Sequence, residues 1–424
     1  MSLTSRDKKT IWHPYTQHEL NPECIGIVRA KGAHIFDEKG NKYIDSFSSW
    51  WTCIHGHSSP YIAKKVSDQL KKLEHVIFAG FTHKPAVELS ERLLKKLPKN
   101  QKKIFFSDNG STAVEVALKM CFQYWFNSGK PKTKVIAFKN SYHGDTFGAM
   151  SVSERSAFSL PFQFGLFDTL FVDAPMKGRE AQALRQLQAI INHEGDSIAA
   201  FIFEPVVQGV AGMIMHDPEI LSQMISLCNK NKIFTIADEV FTGFGRTGKF
   251  FASHYLSADP DILCLSKGLT GGTMAMGITS CKEDIYNAFL STDRTKTFFH
   301  GHSFTANPIA CSAALASLDL MERKETQKNI NRISKKNKLF QIRISNNTKI
   351  ASRALGTILA IEFKTSGETS YFNTIRDKAT TFFLTKGILL RPLGNVIYIL
   401  PPYCISDKDL DYIYDSILEF IHLQ

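Results

Sequence analysis

Two charged residues stand where charge is poorly solvated. Asp238 closes the apolar run Ile233-Phe234-Thr235-Ile236-Ala237, and Lys267 follows Asp261-Ile262-Leu263-Cys264-Leu265-Ser266. Both runs read as short buried strands, so both side chains leave a strand at its C-terminal end. A carboxylate there can bind a metal, act as a base or pair with a cationic ring nitrogen. The plain alternative is a helix cap or a structural ion pair. Glu239 and a glycine-rich loop over 242–248 follow it. A lysine placed before Gly268 and Thr270-Gly271-Gly272, if partly buried, has a lowered pKa and a nucleophilic amine. The plain alternative for Lys267 is a solvated lysine at a strand exit. The two residues lie 29 positions apart, which is room for a strand–helix–strand unit returning both to one sheet edge. An amine and an acid so placed meet the needs of pyridoxal 5'-phosphate. The amine condenses with the aldehyde, and the acid keeps the pyridine nitrogen protonated.

Three further segments belong to the same reading. Ser107-Asp108-Asn109-Gly110-Ser111-Thr112 precedes a helical pattern. Amides of a first helical turn and the hydroxyls of Ser111 and Thr112 can donate to a phosphate, with an ordinary N-cap as the alternative. Ser141-Tyr142-His143-Gly144-Asp145 follows a strand pattern, so Tyr142 can stack on a flat ring or simply pack on the core. Arg391, in 387–394, can grip a carboxylate through two parallel hydrogen bonds or stand as a surface arginine.

The elements that must hold these residues follow from periodicity. Helices are expected near 60–73, 85–97, 111–127 and 218–231, and strands over 103–107, 134–138, 199–204, 233–237 and 262–266. Helix and strand alternate over this stretch, which makes the fold class α/β with a mostly parallel central sheet. Chemistry in such sheets collects at the strands' C-terminal ends. Residues 1–55 read as short strands and turns, with a hairpin turn at 37–41. After about residue 310 a long helical stretch leads to strands over 357–363 and 396–400 and helices near 371–386 and 407–422, a second, smaller α/β unit.

Composition excludes several classes. The 424 residues are 43% hydrophobic and 21% charged, an ordinary globular balance. The longest apolar run, over 198–203, is far short of the roughly twenty residues a membrane helix needs. The polar N-terminus lacks the apolar core of a signal peptide, so secretion by that route is not expected. The net charge of +11 comes from 51 basic and 40 acidic residues spread along the chain. No nucleic-acid-binding module accompanies it, so no nucleic-acid partner is expected. In the densest basic stretch, 323–343, Ile330, Ile333, Leu339 and Ile342 fall at roughly helical spacing, and the lysines read as a solvated face. Eight scattered cysteines without a CxxC pair suggest reduced thiols and a cytoplasmic home. The His55/His57 and His300/His302 pairs lack a metal-site context, so no metal is expected.

With these residues in view, the chain resembles the fold-type I, class III aminotransferases that use pyridoxal phosphate. Segments 201–213 (FIFEPVVQGVAGM), 235–248 (TIADEVFTGFGRTG) and 261–272 (DILCLSKGLTGG) carry the resemblance. Segments 11–17 (IWHPYTQ), 46–57 (SFSSWWTCIHGH), 141–153, 298–311 and 389–403 narrow it to a branch that serves biotin biosynthesis.

The resemblance implies a large domain over 60–315 and a smaller α/β domain built from both chain ends, 1–59 and 316–424. It implies that Lys267 bonds the cofactor aldehyde, Asp238 holds the ring nitrogen and Tyr142 stacks on the ring. Gly110 and Ser111 would take the phosphate, together with His302 and Ser303 from the neighbouring subunit of a homodimer with shared active sites. Tyr15, Trp50, Trp51, Tyr142, Lys267, Gly301 and Arg391 would contact substrate, with Asp145 and Tyr398 as further candidates. The implied reaction moves an amino group from S-adenosyl-L-methionine to 8-amino-7-oxononanoate. The two tryptophans suit a long aliphatic chain, and Arg391 suits its carboxylate. Many relatives have Pro-Thr where this chain has His302-Ser303, a form shared with relatives that use lysine as donor. Lysine as donor, or another ω-amine substrate, is therefore the alternative.

Overall fold

A computed structural model describes residues 2–20, 24–365 and 372–424. Its centre is a seven-stranded sheet. The spatial order is Gln101–Ser107, Gly277–Lys282, Ile262–Leu265, Phe234–Asp238, Ile198–Phe203, Lys134–Phe138 and Thr169–Val172. All run parallel except Gly277–Lys282, which is antiparallel to both neighbours. Every residue of Ile198–Phe203 is buried, as befits a central strand covered on both faces. The α/β class is as the sequence predicts.

The helices begin where their sequences say they should. Gly110–Asn127 is capped reciprocally by Asn109 and Thr112. Pro218–Lys230 has Pro218 in its first turn and Asp217 accepting the amides of Glu219 and Ile220. Pro308–Met321 repeats the arrangement with Asn307. That helix packs against Pro60–Leu70 and Lys84–Leu94 and runs across the boundary expected after residue 315.

Two smaller sheets sit beside the large one. Ile27–Lys31, His34–Asp37 and Lys42–Asp45 form an antiparallel sheet, and the late strand Ile388–Leu389 adds to it in parallel, pairing with Ile44 and Asp45. Ile350–Leu355, Ile358–Phe363 and Val396–Ile399 form the other. The beginning and the end of the chain are thus hydrogen-bonded to each other. The expected hairpin turn is present, with the Asp37 carboxylate accepting the amides of Lys39 and Asn41.

Some expectations need correction. Residues Leu3–Thr10 are helical rather than strand and turn, with Ser2 as the N-cap. The helix Lys324–Ile344 buries Ile330, Ile333, Asn337, Phe340 and Ile344, whereas Leu339 and Ile342 are exposed. The buried stripe steps by three and four residues, and those two lie off it. The helix Glu180–Glu194 and the antiparallel strand Gly277–Lys282 were not anticipated. The helix expected from 371 runs Ile375–Thr385, and residue 371 lies outside the described residues. Among the described residues no helix is long and apolar enough to cross a membrane.

Candidate active site

Five sheet exits converge on one cavity of about 570 Å³, within the usual range for small-molecule sites. Ser107 leads into Asn109, Gly110 and Ser111; Phe138 leads into Tyr142 and His143; Phe203 leads into Glu204; Asp238 ends its strand; Leu265 leads into Ser266 and Lys267.

Lys267 is the amine of the cavity. Its φ of 44° is in the left-handed region, which a lysine occupies only when its surroundings hold it there. The amine lies 4.4 Å over the Trp51 ring and has no hydrogen-bond partner among the described residues. Burial lowers its pKa to about 8, against the pull of Asp238 and Glu204. A minor but appreciable fraction of the amine, about a tenth, is therefore neutral and nucleophilic at pH 7, far more than for a solvated lysine.

Asp238 is held from behind. Its Oδ2 is 2.7 Å from His143 Nδ1, and its Oδ1 accepts the Val240 amide at 3.1 Å. Both side chains are buried. Glu204 is buried close by and accepts the amides of Tyr142 and Gly209. Burial raises its pKa to about 7, with the Asp238 charge adding to the rise and His143 opposing it. Tyr142 is likewise pushed upward by burial and by the Tyr15 hydroxyl.

The turn before helix Gly110–Asn127 closes one side. A Cβ on Gly110 would stand 2.7 Å from Val240 Cγ1, so only glycine lets this turn lie so near the strand end that carries Asp238. Ser111 Oγ accepts the Asp145 amide.

The opposite wall comes from the chain ends. Tyr15 donates to the Asp145 carboxylate, and its hydroxyl is 3.3 Å from that of Tyr142. Its ring meets Trp50 edge-on, and the Arg391 guanidinium lies 4.7 Å from the centre of the same Trp50 ring. Arg391 also donates to the Tyr15 carbonyl. Trp51 is buried, and its indole N–H donates to the Tyr398 hydroxyl at 3.1 Å. Residues Ser48, Ser49, Trp50 and Trp51 have φ of 54°, 44°, 66° and 74°, a complete left-handed turn without a glycine. Such backbone costs about 1–2 kcal/mol per residue, so tertiary contacts must hold it.

Of the residues singled out in the sequence, Tyr15, Trp50, Trp51, Gly110, Ser111, Tyr142, Asp145, Asp238, Lys267, Arg391 and Tyr398 all line this cavity. Gly301, His302 and Ser303 do not; they lie on a loop where His302 Nδ1 is 3.4 Å from Asp108 Oδ2. His143, Glu204 and Arg246 went unrecognised. His143 gave no local signal, since a turn with Asn140 left-handed separates it from the strand Lys134–Phe138, and its Asp238 partner is 95 residues away. Arg246 gave none either. It is buried and donates to the carbonyls of Trp51, Leu400 and Pro401, contacts that only the folded chain creates. Among the described residues one trio, Asp7, His13 and Cys24, brings possible metal donors within 4.8 Å of one another, and its Asp7–His13 pair is already ion-paired at 2.8 Å.

A lysine amine, a supported carboxylate and an open helix N-terminus around one cavity are the framework of a pyridoxal-phosphate enzyme, and the chain belongs to the class-III aminotransferases. Residues 15–421 match that family's model. More particularly, the chain is 42% identical over 420 residues to adenosylmethionine-8-amino-7-oxononanoate aminotransferase of Synechococcus elongatus, covering 97% of this chain and 98% of that one. The crystal structure of the enzyme of that name from Methanocaldococcus jannaschii superposes with a TM-score of 0.92 at 35% identity, over 98% of each chain. An amine transaminase from an uncultivated Pseudomonas species, solved in its PLP-bound form, gives 0.90 at 28% identity, over 96% of this chain and 97% of that one.

The protein is a pyridoxal-phosphate-dependent aminotransferase, and the cavity fits that cofactor. Lys267 presents an amine without a competing partner, Asp238 presents a braced carboxylate, and Gly110 leaves space where a side chain would collide.

Proposed function

We propose that the protein transfers an amino group from S-adenosyl-L-methionine to 8-amino-7-oxononanoate, giving 7,8-diaminononanoate for biotin synthesis. The observation that carries this reading is the aromatic wall. Tyr15, Trp50 and Trp51 offer apolar area beside the Lys267 amine, and Arg391 stands at its edge as the charge for a chain-end carboxylate. The names of the relatives point the same way.

In this reading Lys267 holds the cofactor's aldehyde carbon between turnovers. Once substrate displaces it, the free amine takes the proton from the substrate α-carbon and returns it at the cofactor C4′ carbon. A pKa near 8 suits both directions of that transfer. The cofactor supplies an electrophilic carbon and a cationic ring that draws electron density from the substrate carbon. Asp238 keeps a proton on the ring nitrogen, with His143 fixing the carboxylate. Tyr142 would cover the ring face, while Gly110 and Ser111 would donate to the phosphate.

Gly301, His302 and Ser303 complete the site of a second copy, which makes the active unit a homodimer. The division into 1–59, 60–315 and 316–424 belongs to the same proposal. Five buried thiols, Cys121, Cys228, Cys264, Cys281 and Cys311, support a cytoplasmic location.

The deciding experiment mixes the cofactor-loaded protein with a single amino donor and follows loss of the near-violet absorbance. Adenosylmethionine is expected to bleach it within one turnover. Bleaching by lysine alone would overturn the donor assignment, and bleaching by neither would overturn the substrate class.

A further inference from the structure

The left-handed turn Ser48–Trp51 needs something to hold it, and the surrounding contacts show what does. The turn closes two helical hydrogen bonds, Trp51 N to Phe47 O and Thr52 N to Ser48 O, each 2.9 Å. Asp45 sits at its start, fully buried. Its Oδ1 accepts the Ser49 amide at 2.9 Å and the Phe47 amide at 3.3 Å. Its Oδ2 accepts the Ser49 hydroxyl at 2.8 Å and lies 2.8 Å from His57 Nε2. One carboxylate therefore gathers the donors that an uncapped turn would leave bare.

His57 is itself fixed through its backbone, which exchanges two hydrogen bonds with Gly32 at the N-terminal hairpin. Asp45 ends the strand Lys42–Asp45, which pairs with Ile388–Leu389. The support thus reaches from the turn into the sheet joining the chain ends. The groups facing His57 are Asp45, the Ser49 hydroxyl and the Cys53 thiol. Arg246 and Cys404 bear on Asp45 from the other side. Asp45 and Cys53 raise the imidazole to about 10, against its desolvation, so it is a cation at neutral pH.

We propose that Asp45 and His57 are positioning residues that hold Ser48–Trp51 left-handed and thereby set the Trp50–Trp51 wall against the reacting amine, fixing the fit of the long-chain acceptor. Neither residue lines the cavity. The carboxylate acts through the turn, and the imidazole ring, 2.8 Å from Asp45 Oδ2, keeps the carboxylate aimed. The inference rests on the reading that this wall binds the acceptor.

The test uses the cofactor-loaded protein with 8-amino-7-oxononanoate as acceptor. His57→Leu and Asp45→Asn are expected to raise the acceptor KM about tenfold, the order expected for losing one charge-assisted hydrogen bond, with kcat within about twofold. His57→Gln keeps a donor where Nε2 stands and is expected to stay within about twofold of the parent KM. Without cofactor, near-ultraviolet circular dichroism of the tryptophans should weaken in His57→Leu and Asp45→Asn, with the far-ultraviolet spectrum unchanged. If Asp45→Asn does not fold, the His57 pair carries the test.

Trp50→Ala separates the two readings. If it leaves the acceptor KM unchanged, the wall reading fails. If it raises KM while His57→Leu leaves both KM and the tryptophan spectrum at parent values, the positioning role is overturned. A His57→Leu variant that only unfolds at lower denaturant also overturns it, because that outcome is stability without positioning.

Discussion

The two walls of the cavity are built on different principles. The cofactor side hangs on the ends of parallel strands, where Asp238 ends a fully buried strand and Lys267 stands two residues past another. The substrate side is assembled from residues 15, 48–51, 391 and 398, drawn from both ends of the chain and held by an uncommon backbone. The first is regular structure carrying reactive side chains at its edge. The second is irregular structure braced by Asp45, Arg246 and Tyr398. In the proposed function, the groups that would act on every substrate sit on the rigid side, and those that would recognise a particular substrate sit on the irregular side.

This contrast breaks most decisively at the lysine. Lys267→Ala should reduce turnover about ten-thousandfold with any donor, as nucleophile and proton carrier are lost together. Borohydride should then trap no cofactor on the chain. Asp238→Asn should cost about a hundredfold in kcat for every substrate, again without selectivity. Stopped-flow traces with two unrelated amines would show whether the loss is shared.

On the other wall, Arg391→Leu should raise the acceptor KM roughly tenfold or more, from loss of the charged hydrogen bonds, and leave amines without a carboxylate untouched. An equal loss for both kinds of amine would erase the distinction between the walls. Gly110→Ala should destabilise by about 1–3 kcal/mol through the Val240 collision and weaken cofactor retention. Adding Val240→Ala should restore much of both in urea melts and dialysis.

The smallest effect is in pH. His57 has a pKa raised from 6.5 to about 10 in the folded protein. Its stabilisation is therefore complete below pH 6.5 and is lost as pH climbs toward about 10. The urea midpoint of the parent should exceed that of His57→Leu by most at pH 6, and the gap should shrink by pH 10.

Legibility in the sequence followed the same division. Asp238 and Lys267 could be placed because apolar runs announce buried strands, and a charge at the end of such a run has few places to go. Their convergence on one edge is as expected, as are the helix starts near residues 111 and 218, at Gly110 and Pro218. Trp50 and Trp51 enter only through resemblance, since nothing local says that Ser48–Trp51 turns left-handed, whereas Arg391 stands out by its own chemistry. The Arg246 guanidinium that donates to the Trp51 carbonyl meets the turn only after folding, whereas the Asp45 carboxylate lies three residues before it. Leu339 and Ile342 show the opposite failure. Apolar identity suggested burial, while the helix turned both outward.

The pairing of Ile388–Leu389 beside Lys42–Asp45, together with the Ser48 hydroxyl donating to the Leu400 carbonyl, has a meaning for biosynthesis. A ribosome delivers every strand of the large sheet, and Lys267 with it, well before Leu389 and Leu400 emerge. The nascent chain can acquire its reactive amine early, but the wall facing that amine is closed only by a stretch that leaves the exit tunnel after the whole of the large sheet.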